Sequence, residues 1–250
     1  MFGCSQSLLA GEVSCSPPIA GGGRGGGGHS GSATPSPRPL PQGEGEKPRS
    51  APRLRIVGLC TQLAGPFDLE LATGECLAIT GPSGSGKSLC LRMIADLDPN
   101  EGDVLLDGAS RRSFSAPAWR RQVVYSAAEP GWWHERVADH FRGETSEIAR
   151  GMLPRLALAA ATFDSDVVHL STGERQRMAL IRALALQSPV LLLDEPTGAL
   201  DQDSTHLVEV VLRQRLAAGT TILMVTHSAA QAERLARRHL RMENRRLVPA

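Results

Sequence analysis

Residues Gly81-Pro82-Ser83-Gly84-Ser85-Gly86-Lys87-Ser88 constrain this chain more than any other stretch. They fit G-x-x-x-x-G-K-[ST], a loop whose backbone N–H groups close around phosphate oxygens. The apolar run Cys76-Leu77-Ala78-Ile79-Thr80 before them reads as a buried strand, and Leu89-Cys90-Leu91-Arg92-Met93-Ile94-Ala95 after them as the start of a helix. In that context the glycines keep side chains out of the way while the helix N-terminus adds partial positive charge. Lys87 is placed to reach terminal phosphates and the Ser88 hydroxyl to ligate Mg²⁺. The chain has two lysines, Lys47 and Lys87, against 25 arginines. A lysine kept here points to a need for a compact ammonium rather than a guanidinium fork. The loop implies nucleotide binding, and strand–loop–helix implies an α/β fold.

The 250 residues suffice for one large domain or two small ones. With 27 basic and 26 acidic residues the formal charge is +1, which directs nothing toward nucleic acid or an anionic membrane. No apolar run approaches the roughly 18 residues of a spanning helix. The N-terminus lacks a basic segment followed by an apolar one, so no signal peptide is expected. Five cysteines, an odd number without C-x-x-C spacing, give little support to disulfide or metal readings. These features predict a reduced, cytoplasmic protein.

Residues 1–51 differ in kind from the rest. A glycine tract over 21–28, interrupted by Arg24, leads into a Pro/Ser-rich stretch from Thr34 to Pro52. Such composition buries too little apolar surface to offset chain entropy, and it predicts a disordered tail. An upstream start codon is an alternative account of the segment. An Arg/Gly nucleic-acid tail is another, weakened by the single arginine. From residue 52 the chain alternates strands and helices. Strands are predicted at Leu54–Val57, Phe67–Leu71, Cys76–Thr80, Asp103–Leu106, Val123–Ser126, Val190–Asp194 and Thr221–Thr226, the last two as continuous apolar runs suited to central parallel strands. Helices are predicted at Ser88–Asp96, Thr172–Leu186, Gln202–Ala217 and Ala229–His239. The alternation indicates an α/β sandwich. The helix-leaning segment of about 130–170, with Trp132 and Trp133, reads as an inserted helical lobe.

Two further constellations follow. Leu191-Leu192-Leu193-Asp194-Glu195 ends an apolar strand on two carboxylates, where open α/β sheets place ligand chemistry. Asp194 suits a magnesium ligand, and Glu195 a base that polarises attacking water. In Leu170-Ser171-Thr172-Gly173-Glu174-Arg175-Gln176-Arg177, Ser171 and Glu174 form a capping box that starts a helix. The whole segment resembles the L-S-G-G-Q/E signature of ATP-binding cassette (ABC) ATPases. The string Asp194-Glu195-Pro196-Thr197-Gly198-Ala199-Leu200-Asp201 resembles that family's second carboxylate motif running into its D-loop. Thr226-His227 resembles its switch histidine.

The resemblance covers roughly residues 54–245. It implies a P-loop NTPase fold of the ABC-cassette type: a mostly parallel core sheet, an antiparallel β edge and the helical lobe. It implies ATP and Mg²⁺ as ligands and a head-to-tail homodimer with two ATPs between protomers. Ser171, the N–H of Gly173 and the flanking Glu174 and Asp201 would then serve the partner's nucleotide, and His227 would sense the γ-phosphate. Among cassettes the chain is most similar to small ATPase subunits that pair with a separate integral-membrane permease, with the run from Glu174 to Leu184 similar to bacterial iron-export subunits. No nucleic acid is implied. The lobe, with Trp132, Trp133 and Phe141, would offer the permease a groove, although ordinary packing explains these aromatic residues equally well.

Three positions depart from the family. Ala128, in Tyr125-Ser126-Ala127-Ala128-Glu129-Pro130, stands where a glutamine usually meets the metal, and Glu129 fits only if the loop slips by one residue. No aromatic residue matches the adenine stack, because Phe67 reads as core. Thr172 replaces the first signature glycine. The expected function is an ATPase subunit driving a permease. The alternative is a degenerate cassette that binds ATP as a gated module and hydrolyses little.

Overall fold

Apolar runs form the central strands, and their parallel register brings three chemically distinct loops to one edge. A computed structural model describes residues 51–250. The tail predicted for residues 1–51 therefore lies, but for Ala51, outside the described residues. The elements run β1 (Leu54–Thr61), β2 (Ala64–Leu71), β3 (Cys76–Thr80), α1 (Lys87–Ile94), β4 (Glu101–Leu106), β5 (Ala109–Ser110), α2 (Ala116–Gln122) and β6 (Val123–Ser126). They continue with α3 (Glu144–Met152), α4 (Thr172–Ala185), β7 (Val190–Asp194), α5 (Gln202–Ala217), β8 (Thr221–Val225), α6 (Ala229–Leu235), β9 (Arg238–Glu243) and β10 (Arg246–Pro249).

Six strands form the core sheet in the order β10-β9-β3-β8-β7-β6, parallel except for the β9–β10 hairpin. The antiparallel part is a separate four-stranded sheet, β2-β1-β4-β5. Both faces of the core sheet are covered, which explains why its strands carry no polar alternation. Leu191 and Leu193 of β7, with Ile222 and Met224 of β8, pack beneath α4, α5 and α6. Leu192, Leu223, Leu77 and Ile79 face the other way, onto α1 and the antiparallel sheet. The strand period of two thus divides one apolar run between two cores.

The helix predicted over Ala229–His239 stops at Leu235. Ala236 takes extended backbone (φ −95°, ψ 140°), and Arg238 and His239 pair with Leu77 and Ala78 of β3. A ladder with a central strand outweighs the local helical pattern. α2 was not predicted. Ser115 caps it by accepting from the N–H of Ala118, and a proline lies in its first turn. It delivers Trp119, 1% exposed, whose Nε1 donates to Ile94 O at 3.0 Å.

Between Pro130 and Leu170 lie one α-helix, α3, and short 3-10 turns at Ala138–His140, Pro154–Leu156, Ala160–Asp164 and Val167–His169. His140 fastens the first loop of this segment, its Nε2 accepting from the backbone N–H of both Trp133 and His134 at 3.1 Å. Phe141 is buried against Phe163, with ring centroids 5.1 Å apart. It is therefore core rather than groove, whereas Trp133 is 66% exposed. No helix among the described residues is long and apolar enough to cross a membrane.

Candidate functional site

Three strands set the site. Ile79 of β3 is level with Val225 of β8, and Val225 is level with Asp194 of β7. The glycine loop, Glu195 and His227 therefore leave the sheet side by side at the C-terminal edge. This is where open α/β sheets gather ligand chemistry.

The glycine loop is shaped for a phosphate chain. Gly81 sits at φ 138°, and a Cβ there would meet Met242 O at 2.7 Å. Gly86, at φ 105°, opens α1, which has neither a side-chain cap nor an acid in its first turn. The first N–H groups of that helix have no intrahelical acceptor. Pro82, Ser83, Gly84 and Ser88 are exposed. The Ser85 hydroxyl is buried with no hydrogen-bond partner.

Lys87 is 6% exposed, and its Nζ donates to Gly81 O at 2.8 Å and Pro82 O at 2.9 Å. Both acceptors are neutral, and no ion pair joins this ammonium to a carboxylate among the described residues. Burial lowers its pKa, and the charges of Glu195 and Asp194 oppose that shift. A desolvated cation, an orphan hydroxyl and an uncapped helix start converge here, and together they fit the polyphosphate of a nucleotide. Ser88 and Asp194 add a hydroxyl and a carboxylate, the hard oxygen ligands that Mg²⁺ takes.

Asp194 is 4% exposed, and its Oδ2 accepts from the Tyr125 hydroxyl at 3.0 Å. Glu195 occupies the left-handed region, φ 47°. Its N–H donates to Val225 O at 3.0 Å, and its carbonyl accepts from Gln176 Nε2 at 2.8 Å. Gln176 Oε1 in turn accepts from the N–H of Ala199 at 2.9 Å, so one buried amide ties the turn after β7 to α4. The Glu195 carboxylate accepts from the His227 N–H at 3.3 Å and lies 3.1 Å from His227 Nε2. Burial raises the Glu195 pKa, partly opposed by the charge and N–H of His227.

Ser171, Thr172, Gly173 and Glu174 form the start of α4. Ser171 Oγ accepts from the Glu174 N–H at 3.2 Å, and Glu174 Oε2 accepts from the Ser171 N–H at 2.9 Å. The Ser171 hydroxyl also donates to Glu174 Oε2 at 2.7 Å, and these bonds hold the Glu174 pKa down. Asp201 caps α5, accepting from the Ser204 N–H at 2.7 Å, which lowers its pKa. A cleft of about 530 Å³ brings Thr172 together with Ala128, Glu129 and Glu195. Phe67 is 1% exposed and belongs to the core. Tyr125 and Gln176 are the site residues that motif reasoning missed. Gln176 works on backbone atoms and Tyr125 on a residue 69 positions away, so neither leaves a local pattern.

A family profile described as ABC transporter matches residues 65–198. The chain is 40% identical over 198 residues to the sulfate/thiosulfate import ATP-binding protein CysA of Caulobacter vibrioides, covering 72% of this chain and 57% of that protein. It is 36% identical over 171 residues to the probable iron export ATP-binding protein FetA of Escherichia coli K12, covering 64% of this chain and 76% of that one. It thus spans less than two thirds of some curated relatives. A bacterial ABC transporter cassette solved as a dimer superposes with a TM-score of 0.68 at 25% identity, covering 78% of this chain and 96% of that chain. With the glycine loop, the paired carboxylates and the histidine gathered at one edge of such a sheet, the chain belongs to the ABC transporter family and has the ABC-cassette form of the P-loop NTPase fold.

Proposed function

We propose that this chain is the ATP-binding and ATP-hydrolysing subunit of an ABC transporter, cytoplasmic and docked on a separate membrane permease. One observation carries the reading. The buried Lys87 ammonium, without a carboxylate of its own, shares the sheet edge with a base, Glu195, already held by His227. Lys87 and the loop N–H groups bind the β- and γ-phosphates, and Ser88 and Asp194 hold Mg²⁺. There it would offset the negative charge of the phosphates. Glu195 orients a water and accepts its proton, while His227 holds the carboxylate and meets the γ-phosphate. Catalysis is mainly positioning and charge stabilisation. Ser171 and Gly173 serve the nucleotide of a second, head-to-tail copy, through the start of α4. Dimerisation of the related cassette supports this arrangement.

The direct test is steady-state ATP hydrolysis by the purified chain, with mass in solution followed by light scattering. Magnesium-dependent turnover with ATP-dependent dimers is the expected result. Dimers without turnover, even with the permease present, would favour a gated module instead. The Ala128 methyl, which lines the 530 Å³ cleft and has no atom able to ligate a metal, is the observation behind that second reading. Neither dimers nor turnover would refute both.

The pH profile of turnover carries a separate expectation. Glu195 must be ionised to accept a proton, and burial raises its pKa. Activity is therefore lost as pH falls through a value above the ordinary glutamate pKa of about 4.3. An acid limb of kcat at the ordinary value would contradict the buried environment described for this carboxylate.

A further inference from the structure

Tyr125 is the only tyrosine in the chain, and none of the chemistry above employs it. It stands on β6, level with Leu192 of β7, and its hydroxyl crosses to Asp194 Oδ2. That bond occupies one carboxylate oxygen and leaves Oδ1 for another ligand. Its ring packs on the face of the sheet that carries Leu192, Leu223 and Ile79, beneath α1.

We propose that Tyr125 is a positioning residue for the metal: it fixes the Asp194 carboxylate so that Oδ1 faces the cation. The inference rests on the reading of Asp194 as a Mg²⁺ ligand beside a bound nucleotide. Partners that orient a ligating group commonly change metal affinity about 10- to 100-fold when removed. A hydroxyl that merely satisfied a buried carboxylate would alter stability and leave metal affinity alone.

The test is Mn²⁺ binding, read by electron paramagnetic resonance, to the full chain loaded with a non-hydrolysable ATP analogue. Tyr125→Phe keeps the ring and removes the donor. It is expected to weaken Mn²⁺ binding about 10-fold while metal-free analogue affinity stays unchanged. Since there is one tyrosine, 3-fluorotyrosine labelling gives one ¹⁹F resonance from the unsubstituted chain. That resonance should shift when Mg²⁺ joins the analogue, and not with the analogue alone. Equal Mn²⁺ affinity in Tyr125→Phe, or a resonance indifferent to Mg²⁺, overturns the proposal. Asp194→Asn separates the two levels. If it binds Mn²⁺ as the unsubstituted chain does, the ligand assignment fails, and the inference falls with it.

Discussion

The Glu195→Gln protein is expected to bind ATP and to hydrolyse it about 10²- to 10⁴-fold more slowly than the unsubstituted chain, the range spanned by a lost general base. The backbone of Glu195 is fixed independently of its side-chain charge. Val225 O and Gln176 Nε2 clamp its N–H and carbonyl at 3.0 and 2.8 Å, holding the strained φ of 47°. Glutamine keeps an oxygen that can accept from the His227 N–H, so the turn has no reason to move. What disappears is the capacity to take a proton from water. ATP-bound dimers should then accumulate, visible as a doubled mass in light scattering with ATP and absent with ADP. Turnover close to that of the unsubstituted chain would place the base elsewhere. His227, 3.1 Å away with a half-exposed side chain, would be the next residue to substitute.

The strands that frame this site were legible because burial on both faces leaves an unbroken apolar string. Cys76–Thr80, Val123–Ser126 and Val190–Asp194 have the predicted ends, as does the helix Gln202–Ala217, whose start Asp201 caps. β9 was not legible. Arg238-His239-Leu240-Arg241-Met242-Glu243 carries charge at 238, 241 and 243 without a period of two, and only Met242 is fully buried. Its strand character comes from pairing with β3, 161 residues earlier, which no local window contains. The site divides in the same way. Lys87, Asp194, Glu195 and His227 announce themselves by residue type at fixed spacing. Gln176 and Tyr125 act through a carbonyl, an N–H and a distant carboxylate, and become visible only when the sheet is assembled. Sequence reasoning also placed Phe141 with the tryptophans by type, whereas packing on Phe163 sends it inward.

Removing Lys87 is expected to weaken nucleotide binding strongly while leaving the fold intact. The ammonium meets two backbone carbonyls, an arrangement that leaves its third N–H free and lets the other two turn to an anion that enters the loop. Hydrogen bonds to charged groups contribute about 1.5–3 kcal/mol each. Loss of two phosphate contacts therefore costs about 3 kcal/mol or more, a weakening of at least about 100-fold. In the free protein the balance differs, since burial already disfavours this charge and lowers its pKa. Lys87→Ala relieves that desolvation, and Pro82 is exposed, so water can replace the lost donor. Calorimetric titration with an ATP analogue should show the affinity loss, and a thermal melt without nucleotide should be nearly unchanged. Lys87→Arg distinguishes charge from shape. A planar guanidinium spreads its donors as a fork at the end of a bulkier group and cannot aim them at the two carbonyls and an anion together, as the compact tetrahedral ammonium does. Arginine should therefore remain weakened about 10-fold or more. Full affinity in that variant would mean that the loop requires only a positive charge, and the retention of lysine here, in a chain with 25 arginines, would need another cause.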